Sequence, residues 1–222
     1  MAKKITKSST KKTVKPTVKA EPKKIAKSTA KVKTILEVDS VNEIKIGKQI
    51  WTTKNLDVST YRNGDAIPQV QDEEEWKNLS TGAWCYYENE AANGTKYGKL
   101  YNWYAVNDPR GLAPKGYHIP TDAEWTILTT YLGTDAAAKM KSTTGWNEDG
   151  DGSNTSGFAG LPGGFRFNNG DFFSIGAYGF WWSSSEYNTS YTWCRLLYSN
   201  FGSVGRNYGG KRSGLSVRCL RD

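Results

Sequence analysis

Histidine and cysteine are both scarce in this sequence, which limits the chemistry that it can support. His118 is the single histidine, so most histidine-based catalysis and most histidine-ligated metal sites are excluded. Cys85, Cys194 and Cys219 are odd in number and lack C-x-x-C spacing, which argues against a zinc site and against a dense disulfide framework. One disulfide is left open but is not implied. Cys219 stands in an alternating apolar run, which favours a buried structural thiol over a nucleophile.

Long apolar runs are also lacking. No window approaches the roughly 18 apolar residues that a membrane-spanning helix needs. The N-terminus has no apolar core of about 7–15 residues, which a secretory signal peptide would carry after its first lysines. We therefore expect a cytoplasmic or virion-associated protein rather than one secreted by the Sec route.

Acidic and aromatic residues are nearly absent from the first part of the chain. Residues 1–36 contain twelve lysines and one acidic residue, Glu21, so this segment has a net charge of +11. Since the whole chain has a net charge of +8, the remaining residues have a net charge of −3. Such a composition cannot bury enough apolar surface to offset the entropy of ordering, so it predicts a disordered tail over 1–35 and a folded domain over 36–222. Two interpretations stay open: an electrostatic arm for nucleic acid or another polyanion, or a solubilising linker.

The rest of the sequence predicts an α+β domain with small antiparallel sheets, two to three helices and long structured loops. The predicted strands cover a hairpin at 44–56 and single strands at 82–89, 178–186, 191–199 and 214–222. The predicted helices cover 97–108, 120–133 and 135–143. Turn-forming residues dominate 146–158 and 160–172, which predicts loops. The many aromatic side chains are expected to hold these loops in place.

The helix at 120–133 has the clearest signals. Thr121 and Glu124 have the spacing of a capping box, and Gly133 supplies a stop. An apolar stripe is predicted from Trp125, Leu128, Tyr131 and Leu132. His118 lies just before this helix, and a structural hydrogen bond is favoured there over general-base catalysis, because the sequence offers no positioned partner.

A calcium loop is a weaker candidate. Asp149, Asp151 and Ser153 alternate with glycines, which is the oxygen-rich spacing of such loops. The bidentate glutamate that closes an EF-hand loop is missing, so an ordinary solvated turn is favoured and no cofactor is expected.

Several long phrases carry a family resemblance. They are "GKLYNWYAVNDPRGLAPKGYHIPTDAEWTILTTYLG", "AAAKMKSTTGW", "SGFAGLPGGFRFNNGDFFSIGAYGFWWSSSE" and "SGLSVRCLRD". Together they resemble the Fibrobacter succinogenes major paralogous domain family over about 41–222. The resemblance implies a C-type-lectin-like fold, related more distantly to formylglycine-generating enzymes. The lectin signatures Glu-Pro-Asn and Trp-Asn-Asp are absent, so calcium-dependent sugar binding is not supported.

The resemblance also extends to the variable regions of proteins that retroelements diversify. In that pattern, a constant scaffold alternates with positions that vary through asparagine-type codons. The positions that match the scaffold are Trp193, Arg195, Leu197, Val204, Arg206, Lys211, Gly214, Ser216, Val217, Arg218 and Cys219. The positions expected to vary are Cys194, Leu196, Tyr198, Phe201, Ser203, Gly205, Tyr208, Gly209, Gly210 and Arg212.

The residues themselves agree with a binding surface in this segment. If Trp193, Arg195 and Leu197 face the domain, alternation along a strand turns Cys194, Leu196 and Tyr198 outward. The following segment, 202–210, is irregular and rich in Gly, Ser, Asn and Tyr, which is the composition of binding loops. The predicted ligand surface comprises Tyr191, Cys194, Leu196, Tyr198, Phe201, Ser203, Asn207, Tyr208 and Arg212.

The predicted function is a non-enzymatic module that binds a protein or a glycan through this surface. A structural or decoration domain of a cell surface or virion, tethered by the basic tail, is the first alternative. A formylglycine-generating type of enzyme is the second. Those enzymes use closely spaced cysteines, whereas Cys194 and Cys219 lie 25 positions apart, so that activity is not carried over.

Overall fold

The computed structural model describes residues 42–222, which form an α+β arrangement. The predicted tail at 1–35 and the first residues of the predicted domain lie outside this range. The strands are β1 (Glu43–Ile46), β2 (Gln49–Thr52), β3 (Trp84–Cys85), β4 (Leu100–Tyr101), β5 (Tyr117–His118), β6 (Gly163–Arg166), β7 (Phe172–Ile175), β8 (Tyr178–Glu186), β9 (Tyr191–Tyr198), β10 (Gly205–Gly210) and β11 (Leu220–Arg221). The α-helices are α1 (Glu73–Lys77), α2 (Ala91–Tyr97), α3 (Trp103–Val106), α4 (Asp122–Leu132) and α5 (Ala136–Met140), with a 3-10 turn at Tyr87–Asn89.

The strands form three sheets. A four-stranded sheet has the order β1-β2-β11-β5, a five-stranded sheet the order β10-β9-β8-β6-β7, and β3 pairs with β4. All of these pairs are antiparallel except β6 with β8. In the five-stranded sheet, β9 lies between two neighbours, while β10 forms an edge. Within the described residues, no helix has the length and apolar character to cross a membrane.

Helix α4 confirms the strongest sequence prediction. The Thr121 side chain accepts the backbone N–H of Glu124, and the Glu124 carboxylate accepts the backbone N–H of Thr121, so both halves of the capping box are present. Trp125, Leu128 and Leu132 are buried as expected. Tyr131 was assigned to the same stripe, but it is 65% exposed. A residue six positions after Trp125 falls outside the face that spacings of three, four and seven define.

Several predicted elements have other forms in the structure. The helix predicted at 97–108 is divided into the end of α2, strand β4 and helix α3, because the Asn102 side chain caps a new helix by accepting the Ala105 N–H. Residues 202–210 were predicted to be irregular, yet most of them form β10. Likewise the loop predicted at 160–172 contains β6, and the described residues, 42–222, form five α-helices where two to three were expected.

The core lies on both faces of the five-stranded sheet. Trp181 and Trp182 are neighbours on β8 and are both buried, but they belong to separate apolar clusters. Trp181 packs with a cluster that includes Trp51, Trp125, Phe158 and Leu197. Trp182 packs with a cluster that includes Tyr101, Trp103, Cys194 and Val217. Since successive residues of a strand point to opposite faces, this part of the sheet is covered on both sides.

Candidate ligand-binding surface

The predicted surface falls mainly on a hairpin of β9 and β10, which we call the terminal hairpin. Its register pairs Arg206 with Arg195 and Asn207 with Cys194. Directly opposed residues share a face and the next pair lies on the other face. The terminal hairpin therefore has one face that carries both arginines and one face that carries Cys194 and Asn207.

Asp122 fastens the arginine face to the N-terminus of α4. The guanidinium of Arg195, which is 2% exposed, donates to the Asp122 carboxylate at 2.6 Å, to its backbone oxygen at 3.0 Å and to the Thr126 hydroxyl at 3.0 Å. Arg206 reaches the same carboxylate at 2.9 Å. Partial burial raises the pKa of Asp122, but the hydrogen bonds from Arg206 and Arg195 outweigh it and lower the pKa overall. The carboxylate is therefore ionised at neutral pH and links two strands to one helix.

Three exposed tyrosines and the half-buried Trp193 gather near the start of β9. We call Tyr187, Tyr191, Trp193 and Tyr208 the tyrosine cluster. Tyr208 stacks on Tyr187 with 4.8 Å between ring centroids and 8° between planes. Its edge contacts with Tyr191 and Trp193 are 5.3 and 6.4 Å long. The Arg206 guanidinium lies 3.4 Å from the Trp193 ring centroid, an attractive cation–π geometry. The three tyrosines are between 42% and 48% exposed, so the rings support one another while remaining open to solvent.

A cleft of about 250 Å³ opens beside the tyrosine cluster, and we call it the phenylalanine cleft. Its aromatic wall comes from Phe165 and Phe180, which contact each other at 4.8 Å, and from Phe167. The other lining residues are Leu215, Cys194, Asn168, Asn207, Tyr191, Tyr208, Ser213 and two glycines of β10. The cleft thus joins the edge of the terminal hairpin to the β6–β7 hairpin.

Arg166 fixes the position of the phenylalanines on β6. Its side chain is 1% exposed and donates to the carbonyls of Gly170 and Val70 at 2.7 and 2.8 Å. It also donates to two further carbonyls of the segment before α1. With Arg166 satisfied inside the domain, alternation places Phe165 and Phe167 on the opposite side, where Phe167 is 44% exposed.

A second pocket of about 550 Å³ adjoins the phenylalanine cleft. The two share Asn168, Tyr191 and Gly210 as lining residues. Lys211 in the second pocket pairs with Glu186 at 2.6 Å, which offsets its charge. Arg212 is exposed and donates to the backbone carbonyl of Lys77. The continuous groove is therefore aromatic at one end and polar at the other.

The other candidate residues have structural surroundings. Cys85, Cys194 and Cys219 are buried free thiols, and burial raises the pKa of each to about 12. The Asp151 carboxylate accepts the Trp146 N–H, and the Ser153 hydroxyl donates to the Ala138 carbonyl, while Asp149 is exposed.

These contacts give the calcium interpretation no support. No group of three or more His, Cys, Asp or Glu residues within 42–222 is arranged to hold a metal ion.

His118 links the C-terminus to α4. Its Nδ1 lies 2.8 Å from the Asp222 carboxylate and its Nε2 lies 2.9 Å from the Glu124 carboxylate. Partial burial lowers the pKa of His118, but the bonds with both carboxylates outweigh that effect and raise the pKa above its usual 6.5. The histidine thus occupies a structural clamp, as the sequence favoured.

A family model described as the Fibrobacter succinogenes major domain matches residues 44–221. The chain belongs to this family. Searches among curated proteins and among solved structures give no match. The family match includes the terminal hairpin, the tyrosine cluster and the phenylalanine cleft.

Within this family member, the structure divides the predicted ligand residues into three sets. Tyr191, Asn207, Tyr208 and Arg212 are exposed and line the groove. Phe201 and Ser203 are exposed at the turn of the terminal hairpin, where Phe201 contacts the partly buried Tyr198 at 5.8 Å. Cys194 and Leu196 are each 2% exposed.

The prediction that Cys194 and Leu196 face solvent is wrong. Alternation along β9 is correct, but β9 is an inner strand whose two faces are both covered. Cys194 packs with Trp182 and forms part of the floor of the phenylalanine cleft, and Leu196 opposes Phe180. A strand with two covered faces buries both of its side-chain rows.

Sequence reasoning missed the residues that come from outside the C-terminal segment. Phe165, Phe167 and Asn168 were assigned to a loop, Phe180 to a strand, and Tyr187 to no role. The alternating pattern Phe165-Arg166-Phe167 was a usable signal for a strand with two distinct faces. That this strand meets β10 across a cleft depends on long-range pairing, which the local pattern does not contain.

Proposed function

We propose that this chain is a non-enzymatic ligand-binding module that presents the surface of residues 191–213 to a protein or glycan partner. The observation that carries the proposal is the tyrosine cluster. Three large rings remain exposed there although they pack closely on one another, and tyrosine offers much contact area at a low entropic cost. Contiguous exposed aromatic surface of this kind marks interaction sites.

The frame beneath the cluster supports the same proposal. Arg195 is buried and hydrogen-bonded to α4, so substitutions of outer residues leave the attachment of the hairpin unchanged. By contrast, Ser203, Asn207 and Arg212 are exposed. Rigid presentation reduces the entropy lost on binding, which favours recognition.

We also propose that the fold is C-type-lectin-like and that residues 193–214 are diversified by a retroelement. The burial of Arg195, Leu197, Val217 and Arg218 supports their assignment to the constant scaffold, whereas Cys194 and Leu196, assigned as variable, are equally buried and give diversification no support. Arg206 is exposed but is held by Asp122 and Trp193. Sequencing the neighbouring DNA tests the second idea: a near-repeat of this coding segment beside a reverse transcriptase is expected, and its absence would contradict diversification.

Thiol-based catalysis has less support than binding. All three thiols are buried, and a pKa of about 12 leaves almost no thiolate at neutral pH. Neither Cys194 nor Cys219 would therefore offer a thiolate nucleophile to a substrate.

A double variant tests the binding surface. Tyr191→Ala/Tyr208→Ala should lose capture of partners from bacterial surface extracts and glycan arrays by at least about tenfold. Its melting temperature should stay within about 3 °C of the parent, because exposed side chains contribute little to folding. The matched control is Ile127→Ala/Tyr131→Ala on α4, where the side chains are 55% and 65% exposed. Capture that survives the first variant, or unfolding of that variant, would refute the proposed site.

A further inference from the structure

We propose that the phenylalanine cleft binds one neutral sugar residue of an oligosaccharide, an inference that rests on the proposed binding function. It names the ligand class and adds Phe165, Phe167, Phe180 and Asn168, which lie outside residues 191–213. The argument combines the size of the cleft, its lack of charge and its unpaired polar groups.

The dimensions indicate a ligand with repeating units. At about 250 Å³ the cleft is smaller than the pockets of roughly 300–1,000 Å³ that enclose whole drug-sized ligands. It does not end abruptly, because the pocket of about 550 Å³ continues from Asn168, Tyr191 and Gly210. One unit of a chain fits the cleft while its neighbours extend along the groove.

The lining is uncharged. Every residue that borders the cleft belongs to the described part of the chain, and they include no Asp, Glu, Lys, Arg or His. A charged ligand group that entered the cleft would lose its hydration and would find no opposite charge there, which carries a substantial desolvation cost. The matching ligand unit is therefore neutral.

Its polar groups exclude a wholly apolar occupant. The side chains of Asn168 and Ser213 form no hydrogen bond with any residue in 42–222, and Asn207 uses only its oxygen, which accepts the Tyr208 N–H at 2.8 Å. An amide both donates and accepts, as sugar hydroxyls do. The aromatic wall offers flat apolar surface to the C–H face of a sugar ring, so the two sets of contacts match one molecule.

Addition of a peptide strand to β10 is the less favoured alternative. The Asn207 side chain already occupies the backbone donor of Tyr208 on this edge strand. An added strand would lose that donor unless the amide moved, because strand addition depends on free main-chain groups.

The test uses the full chain with an array of neutral oligosaccharides containing hexose and N-acetylhexosamine in α and β linkage. Hexagalacturonate serves as the acidic probe and a leucine-rich hexapeptide as the peptide probe. We expect a neutral oligosaccharide to bind, as measured by saturation-transfer NMR and calorimetry. Phe167→Ala and Asn168→Ala should each weaken it by about tenfold, which corresponds to about 1.4 kcal/mol.

Phe173→Ala is the matched control. Phe173 is 43% exposed against 44% for Phe167 and packs on the same Phe165, but it does not line the cleft. It should retain the parent affinity. Asn168→Ala keeps the test decisive if Phe167→Ala fails to fold, because it removes only an amide that no described residue bonds.

Binding of the acidic or peptide probe alone, or neutral binding that both cleft variants retain, would overturn the inference. Failure to bind any neutral oligosaccharide at millimolar concentration would do the same. If the Tyr191→Ala/Tyr208→Ala variant still loses a protein partner in that case, the proposed function stands and only the sugar assignment falls.

Discussion

The two faces of the terminal hairpin differ in how their polar groups are satisfied. On one face, Arg195 and Arg206 converge on Asp122 of α4. On the other, the Asn207 amide nitrogen, which no residue in 42–222 bonds, lies at the edge of the phenylalanine cleft together with the buried Cys194. A single pair of strands thus supplies both the ion pairs that attach the hairpin to α4 and a polar surface that borders the cleft.

This difference indicates which positions of the hairpin tolerate substitution. A buried group with its hydrogen bonds complete contributes to the free energy of unfolding, and its loss leaves partners unsatisfied. An exposed amide or ring can be replaced at little cost, because water solvates whatever remains. The tyrosine cluster lies on the arginine face, because Trp193 pairs with Tyr208 and each stands two positions from an arginine, so only the Asn207 face is separate from the contacts that hold the hairpin.

The largest predicted effect concerns Leu196, which lies on the face that alternation predicted but is buried there. Leu196→Ala should lower the free energy of unfolding by about 3 kcal/mol, because it leaves a cavity between β8 and β10. Phe201→Ala at the turn should lower it by less than about 0.5 kcal/mol, since that ring is 61% exposed. Urea denaturation measures both. Equal losses would show that the two positions are not divided into core and surface.

Much of the framework could be predicted because its signals are local. The capping box and apolar spacing defined α4, and the hairpin predicted at 44–56 contains most of β1 and all of β2, whose register pairs Ile44 with Trp51. Strands β8 and β9 are rich in aromatic residues, which favour strands. These features hold wherever the segment lies in the fold.

The candidate site was less predictable because it depends on pairing between distant segments. The sequence of β10, "GRNYGG", has little strand propensity, and it becomes a strand through its ladder with β9. The same ladder makes β9 an inner strand and so buries Leu196. The phenylalanine cleft needs Phe165, Phe180 and Asn207 together, and their separation in sequence gave no local sign of that meeting.

An intermediate effect is predicted at the fastening itself. Asp122→Ala should lower the free energy of unfolding by about 2 kcal/mol, because the buried Arg195 loses its ionic partner and keeps only neutral acceptors. Arg206→Ala removes the solvent-exposed ion pair with the same carboxylate and should lower the free energy of unfolding by less than about 1 kcal/mol. Chemical denaturation of both variants gives the comparison. A larger loss of stability for Arg206→Ala would mean that the exposed ion pair of Arg206, rather than the buried one of Arg195, holds the hairpin on α4.

The smallest predicted effect is a pH dependence confined to the α4 side. The pKa of His118 is raised in the folded state, so its stabilisation is complete below about pH 6.5 and is lost as the pH rises through the folded pKa. With a side chain that is 38% exposed, solvent screening keeps this contribution below about 1 kcal/mol. The facing carboxylates are Glu124 and Asp222; the lowered pKa of Glu124 acts only at acidic pH.

Denaturation from about pH 6 to about pH 8 should therefore show a small decline in stability that His118→Gln abolishes. The phenylalanine cleft has no carboxylate, amine or imidazole in its lining, so ligand affinity should stay constant over the same range. An affinity that falls in parallel with stability would show that the His118 clamp and the phenylalanine cleft are coupled. Constant affinity beside declining stability would instead show that the clamp of His118 with Glu124 and Asp222 stabilises the fold without affecting the phenylalanine cleft, because His118 contacts neither face of the terminal hairpin.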